Sequence, residues 1–371
     1  MSRNTLLALL CLALTALAAP AAAQEPKKRI VNVGGGPGEM AAMTAGWPKP
    51  ATKAAMTDAD RSASLDAFLE EMTRKDLFSG VVVAARAGKP AYRKAFGLAS
   101  REWNAPNRPD TLFNIGSIDK TLTQLAIKLL VKDGAFSPAD TVARVLPDYK
   151  GAGAERITLK QLLDHTSGMG DIFGPAWQKM PRNKLRSISD YRPLFENEPL
   201  RSEPGAQQSY SNAGYVLLGL VVEKAAGKPY DVFVKERILD PLGMKSTGFL
   251  ESDAIVPNRA TGYTHRGPAG PLETFHANIH LMPGKPSSAG GGDSTADDLV
   301  LLGEGLRKDT LSLGNPQPDG GMGMAGGIPG ANAALEVCAK GVTVAVVSNL
   351  DPPSAEYVAD QTRKLFACGG D

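Results

Sequence analysis

Ser117-Ile118-Asp119-Lys120-Thr121-Leu122-Thr123-Gln124-Leu125-Ala126-Ile127-Lys128-Leu129-Leu130 reads as the start of an amphipathic helix. Leu122, Leu125, Ala126, Leu129 and Leu130 recur at the spacing of one helical face, and Gly134 closes the helix as a C-cap. At roughly 100° per residue, Ser117 and Lys120 stand roughly 60° apart on that helix, so the amine reaches the hydroxyl while Asp119 points elsewhere. Ser117 is the only serine of the chain with a lysine three residues ahead. A serine hydroxyl is too weak an acid to attack unaided, and a neighbouring base must take its proton. A lysine amine serves where burial or nearby cations hold it neutral. Ser117 is therefore the candidate nucleophile and Lys120 its base, with the N–H groups of the helix start available to developing negative charge.

The compartment is read from the N-terminus. Met1-Ser2-Arg3, an apolar run from Leu6 to Ala19 and Ala21-Ala22-Ala23 before Gln24 have the order of a secretory signal, expected over residues 1–23. Cys11 follows Leu10, where a lipoprotein cleavage site requires a small residue, so no lipid anchor is expected. The expectation is an exported protein, periplasmic or secreted, without a stable membrane span once the signal is removed. Lys plus Arg number 41 against 39 Asp plus Glu, a balance that calls for neither nucleic acid nor a charged membrane surface.

Two cysteines remain after the leader, Cys338 and Cys368. Cys338 ends the first strand of an expected hairpin, Ala333 to Cys338, which turns at Lys340-Gly341 into Val342 to Ser348. A helix after Asp351-Pro352-Pro353 runs back over that strand and returns Cys368 to the level of the hairpin turn. Roughly eight strand residues at about 3.3 Å match about sixteen helical residues at 1.5 Å. A disulfide between Cys338 and Cys368 is expected in an oxidising compartment.

Residues 24–57 are rich in Gly, Pro, Ala and Met and read as an extension or linker. A helix is expected from Asp58 to Lys75, then a hairpin of Gly80 to Ala85 and Ala91 to Phe96 around Arg86-Ala87-Gly88-Lys89. From Phe113 to Leu250 the periodicity is mainly helical, and strand character is expected again only near the C-terminus. Chain ends that pair around a helical middle imply an α+β fold. An antiparallel sheet flanked by helices is built from residues 58–112 and 284–371, with a mainly helical region, 113–283, inserted.

A second polar cluster, Ser209-Tyr210-Ser211-Asn212, precedes another amphipathic stretch, Tyr215 to Ala226, capped by Gly227. A tyrosine hydroxyl near Lys120 could relay a proton to a leaving group, and Asn212 could orient substrate and lysine. An N-cap formed by Ser211 or Asn212 is the reading that needs no chemistry.

Four stretches together carry a resemblance: Phe113 to Lys120, Leu163-Asp164-His165-Thr166-Ser167-Gly168, Tyr210-Ser211-Asn212 with Gly214 to Gly219, and Pro241-Leu242-Gly243-Met244. In this order they resemble the penicillin-recognising serine hydrolases, in the branch of class C β-lactamases, D-alanyl-D-alanine peptidases and β-lactamase-like esterases. The resemblance covers residues from about Leu77 to the C-terminus. It implies the β-lactamase/transpeptidase-like fold, an active site between helical region and sheet, acylation of Ser117, Lys120 as its base partner, Tyr210 in proton transfer and Asn212 on the substrate.

The chain departs from that pattern at the third motif, where the family carries lysine or histidine, one residue, then glycine. The matching stretch is Gly323-Met324-Ala325-Gly326-Gly327-Ile328-Pro329-Gly330, so Met324 stands where the cation belongs and offers neither charge nor donor. Main chain remains: the N–H groups of Gly327 and Ser117 could form an oxyanion hole. His265-Arg266-Gly267 spells the pattern too early, and Pro268 after it has no N–H. The segment from Leu301 to Gly320 is short beside the family, which usually carries another strand there.

Without that donor, substrates bearing a carboxylate at this position lose a charge-assisted hydrogen bond of about 1.5–3 kcal/mol, whereas esters need no such contact. The expected function is an acyl-enzyme serine hydrolase of small-molecule or peptide-like acyl substrates, esterase-like before β-lactamase or carboxypeptidase. The alternative is a cell-wall or ligand-binding homologue with weak or no catalysis. His276 and His280 lack an acidic third ligand, Gly290-Gly291-Gly292 lacks the lysine of a phosphate loop, and no Gly-x-Ser-x-Gly occurs. No metal and no cofactor are called for, and no oligomeric state is implied.

Overall fold

A computed structural model describes residues 30–31, 37–53, 55–267, 270–308, 321–338 and 340–366. The expected leader, Cys368 and residues 309–320 of the shortened segment lie outside these residues. The first long helix, Asp58–Arg74, starts where the sequence supplies a reciprocal cap: the Thr57 hydroxyl accepts from the Asp60 amide, and the Asp60 carboxylate accepts from the Thr57 amide. Ahead of it, in the segment read as extension or linker, the two-residue strand β1 (Ile30–Val31) pairs parallel with a strand from the far end of the chain.

That sheet is the frame of the molecule. β2 (Gly80–Arg86) and β3 (Lys89–Phe96) form the expected hairpin. β4 (Leu98–Ser100) pairs with β5 (Ala105–Pro106), β6 (Phe113–Asn114) with β9 (Asp293–Ser294), and β7 (Tyr263–Gly267) with β8 (Gly270–Ala277). From the C-terminal part come β10 (Met322–Ile328), β11 (Ala331–Val337) and β12 (Val342–Ser348). The main sheet has six strands in the order β1-β10-β11-β12-β2-β3, antiparallel throughout except for β1. The two chain ends meet at its centre, where Val81 faces Val347 and Val83 faces Ala345.

Both faces of this sheet are covered at its centre, which explains the nearly continuous apolar runs of β2 and β12. Val82, Ala84, Val344 and Val346 pack under the Asp58–Arg74 and Ser354–Leu365 helices. Val81, Val83, Ala345 and Val347 face the helical region. At the centre of that region runs the Asn212–Ala226 helix, buried on every side from Asn212 to Val222, as its lack of a polar face requires. Cys338 is buried just beyond β11, beneath the C-terminal helix.

One expectation fails. Strand character does not wait for the C-terminus, because β7 and β8 form a hairpin within residues expected to be helical. Its strands are mostly exposed or half-buried and carry no apolar alternation, so the pairing leaves little trace in the hydrophobic pattern. His276 lies on β8 and His280 in the short 3₁₀ turn Ile279–Leu281, so their spacing by four is not that of one helix. Among the described residues, no group of three or more His, Cys, Asp or Glu is arranged to hold a metal, and no helix is long and apolar enough to cross a membrane.

Candidate active site

Ser117 sits in a single 3₁₀ turn, Gly116–Ile118, that feeds directly into the Asp119–Lys132 helix. Gly116 takes φ 51°, a left-handed conformation that glycine adopts freely. Its amide donates to the Asn114 side chain at 2.9 Å. The Gly290-Gly291-Gly292 run, which a phosphate-loop reading leaves without a role, straps this turn. The Gly291 amide donates to the Gly116 carbonyl, and the Ile115 amide to the Gly292 carbonyl. Gly290 and Gly291 also have positive φ, and a Cβ on Gly290 would stand 2.9 Å from the Gly116 oxygen.

The second side of the site comes from the Asn212–Ala226 helix and the residues before it. Ser211 caps this helix, accepting from the Gly214 amide, and Tyr210 precedes the cap. Packing this helix against the Asp119–Lys132 helix assembles the predicted residues. Ser117 Oγ lies 2.8 Å from Tyr210 Oη, and Lys120 Nζ donates to Ser117 Oγ at 3.0 Å. The same ammonium donates to Asn212 Oδ1 at 2.7 Å and to the Ala289 carbonyl. It also lies 4.8 Å from the Tyr210 ring centroid and 5.5 Å from that of Tyr215.

Burial sets the proton inventory. Lys120 is 1% exposed, and desolvation pushes its amine down to about 7 against the pull of Asp171 and Asp119. Near neutral pH it is therefore available as a base. Burial pushes the Tyr210 phenol well above its ordinary value, so this group is a neutral O–H donor rather than a phenolate. Asp119, fully buried beside Lys120, accepts from the Gly292 amide at 2.6 Å. Desolvation, helped by Asp293, pushes its carboxyl up to about 7.

Three supporting residues escape a motif-by-motif reading. Asp171 accepts from both the amide and the side chain of Asn212, so each end of the Asn212 side chain is engaged, one on Lys120 and one on Asp171. His165, part of a quoted motif but given no role by it, takes φ 58° and stacks between Tyr210 and Tyr215, with centroids 4.6 and 4.8 Å away. Its Nδ1 accepts from the Ser211 amide, and burial followed by the nearby Lys120 pushes the ring down to about 4, which keeps it neutral. The third is the Ala289 carbonyl, which no side-chain pattern announces.

The opposite wall is β10. A Cβ on Gly326 would overlap the Ile115 carbonyl and come within 2.7 Å of the Ser117 amide nitrogen, so only glycine lets the strand approach this closely. A Cβ on Gly116 would in turn stand 2.7 Å from the Gly327 nitrogen. Gly327 and Ser117 thus line one cleft with their main chains adjacent. Met324 does not line that cleft: it is 8% exposed, and its sulfur accepts from the Thr121 hydroxyl at 3.2 Å. His265 is on β7 with its ring against Phe275, away from the residues that line the cleft.

The cleft over Ser117 encloses about 370 Å³. Apolar side chains dominate its walls, among them Ile172, Phe173, Trp177, Leu281, Met282 and Ile328. A serine with an amine base, a phenol donor and two adjacent main-chain N–H groups can acylate and deacylate.

The family described as Beta-lactamase matches residues 65–318, more than half of the chain. The chain belongs to the Beta-lactamase family. Within it, penicillin-binding protein 4* of Bacillus subtilis (strain 168) is 33% identical over 221 residues, 59% of this chain and 47% of that protein. Esterase EstB of Burkholderia gladioli is 32% identical over 298 residues, 71% of this chain and 74% of the esterase. The chain thus spans about half the length of the penicillin-binding relative and about three quarters of the esterase. The crystal structure of a penicillin-binding protein from Bacillus halodurans superposes with a TM-score of 0.70 at 25% identity, covering 80% of this chain and 99% of that one. The Beta-lactamase family assignment and the antiparallel sheet flanked by helices agree with the resemblance carried by the four sequence motifs.

Proposed function

We propose that this Beta-lactamase family protein is an exported esterase that works through an acyl-enzyme on Ser117. The observation that carries the ester preference is the strand wall. Met324 is buried against Thr121, so β10 presents main chain and the apolar Ile328 to the cleft and no cationic side chain at the motif position. The mostly apolar cleft suits the hydrocarbon part of an ester, and the coverage of esterase EstB over most of both chains supports the same class.

In this mechanism neutral Lys120 takes the Ser117 proton as Oγ attacks the ester carbonyl carbon. The carbonyl oxygen becomes an oxyanion and meets the N–H groups of Ser117 and Gly327. The carbon–oxygen bond to the leaving group breaks, and that oxygen receives a proton from Tyr210, which recovers one from the Lys120 ammonium. Water then attacks the acyl carbon and gives a proton to Lys120, the bond from that carbon to Ser117 Oγ breaks, Oγ takes the proton back from Lys120, and the carboxylic acid departs. Asn212 and Asp171 hold the lysine in line, and His165 holds the Tyr210 ring.

The test is intact-protein mass after treatment with a fluorophosphonate and, separately, a penicillin, each beside Ser117→Ala, together with turnover of p-nitrophenyl butyrate. A Ser117-dependent phosphonyl adduct with ester turnover is the expected result. A stable penicillin adduct without ester turnover would favour a penicillin-binding role. No adduct and no turnover in folded protein would leave the binding reading.

A further inference from the structure

Two guanidinium groups line the otherwise mostly apolar cleft, and they differ in one respect. Arg259 is neutralised: it lies 2.9 Å from the buried Asp293 carboxylate and also donates to the Glu251 carbonyl. Arg182 has no such counter-charge. Its Nη1 donates to the main-chain carbonyls of Trp177 and Met180, at the end of the short Pro175–Lys179 helix, and its Cζ lies 3.9 Å from the Trp177 ring centroid. Among the described residues no carboxylate forms an ion pair with it.

The acids of this region are committed elsewhere. Glu251 and Asp253 both hold Arg186, Asp190 accepts from the Arg186 and Ser187 amides, and Asp171 holds Asn212. With Nη1 turned to the two carbonyls, Nε–H and Nη2–H remain as the edge of the guanidinium, which is the fork that receives a carboxylate through two parallel hydrogen bonds. Stacking on Trp177 fixes the plane of that fork. Surrounding apolar groups, including Phe173, Leu281 and Met282, lower the local dielectric and strengthen any charge pairing made there.

We propose that Arg182 is the specificity-determining residue of this cleft and selects esters that carry a carboxylate remote from the scissile bond. The family's cation on β10 is absent, and the guanidinium on the helical wall supplies recognition of an anionic group from a different element. The inference rests on the esterase reading for its reaction, but its binding component stands apart from it.

The experiment compares mono-p-nitrophenyl adipate with p-nitrophenyl hexanoate, a pair matched in length and differing in a terminal carboxylate. A third ester, 4-carboxyphenyl hexanoate, moves the charge to the leaving group. In Arg182→Gln the ratio of kcat/KM for an anionic ester to that for p-nitrophenyl hexanoate falls about tenfold or more, the size of one charge-assisted contact. Arg182→Lys keeps the charge without the fork and retains part of the ratio. A fall confined to the adipate ester places the carboxylate on the acyl side, and a fall confined to the carboxyphenyl ester places it on the leaving-group side. Equal losses on all three esters would make Arg182 only a helix cap and overturn the proposal. If the wild type hydrolyses none of the three, the esterase reading fails. Arg182 is then judged by calorimetric titration of monomethyl adipate into Ser117→Ala with and without Arg182→Gln: binding weakened about tenfold supports it, and unchanged affinity overturns it.

Discussion

The helical wall of the cleft and its strand wall meet at Ser117 but are built differently. On the helical wall each functional side chain is held by several others: Lys120 by Ser117, Asn212 and Ala289, Asn212 by Asp171, and Tyr210 by Ser117 and the His165 ring. On the strand wall the side chains withdraw, except Ile328 at the end of β10. Gly326 and Gly327 have none, and Met324 turns to Thr121. Proton transfer is thus concentrated on one side, while the other contributes shape and main-chain dipoles. A substitution on the helical wall should therefore act through chemistry, and one on the strand wall through packing.

Ser117→Ala is the strongest way to test this division. It should lower kcat for p-nitrophenyl butyrate by about four orders of magnitude or more, the scale of nucleophile removal, with the unfolding midpoint little changed. Lys120→Met should follow with a loss of about 10²- to 10⁴-fold, the range of a general base, measured on the same ester. On the strand wall, Gly326→Ala should destabilise the fold by about 1–3 kcal/mol, because its Cβ would overlap the Ile115 carbonyl. Denaturant titration reads that loss, and a variant as stable as the wild type would break the comparison.

The pH dependence sharpens the helical side. With Lys120 held down to about 7 and required neutral, kcat/KM should rise with pH through about 7 and fall away below it. Ionised Asp119 pulls the lysine upward, so Asp119→Asn should move this acid limb to lower pH while keeping an acceptor for the Gly292 amide. A limb that stays in place or moves up would remove Asp119 from the electrostatics of the base. The smallest effect is expected at Met324→Leu, which swaps volumes within a core contact and should cost less than about 1.5 kcal/mol by the same denaturant assay. A large loss of activity at unchanged stability would give Met324 a role in the cleft that its burial does not indicate.

The parts of this arrangement that were legible in the sequence have a local signature. The helix behind Ser117 shows its apolar face, and the β2–β3 and β11–β12 hairpins their runs and turns. The approach of Lys120 to Ser117 followed from helical spacing, and that of Tyr210 and Asn212 to them from ordered motifs. The rest had no local signal to read. The β7–β8 hairpin lacks apolar alternation because it covers little core. Asp171 acts on Asn212 and the Ala289 carbonyl on Lys120 across the fold, through contacts that spacing along the chain does not encode. The triple glycine was conspicuous, but only the approach of Gly290 to Gly116 shows what it is for. The direction of the Met324 side chain likewise depends on which face of β10 turns to Thr121.

The central strand pair joins Gly80 to Ser348 and Arg86 to Val342, so an early and a late segment of the chain must meet before the sheet can close. During synthesis, a growing polypeptide that includes the whole helical region has β3 beside β2 but still lacks β12 on its other edge. Closing such a long loop is entropically costly and slow compared with local pairing. A chain truncated before β12 leaves one edge of β2 without its pairing strand. That late closure makes completion of the sheet a step of high sequence separation, which waits on the last strands of the chain.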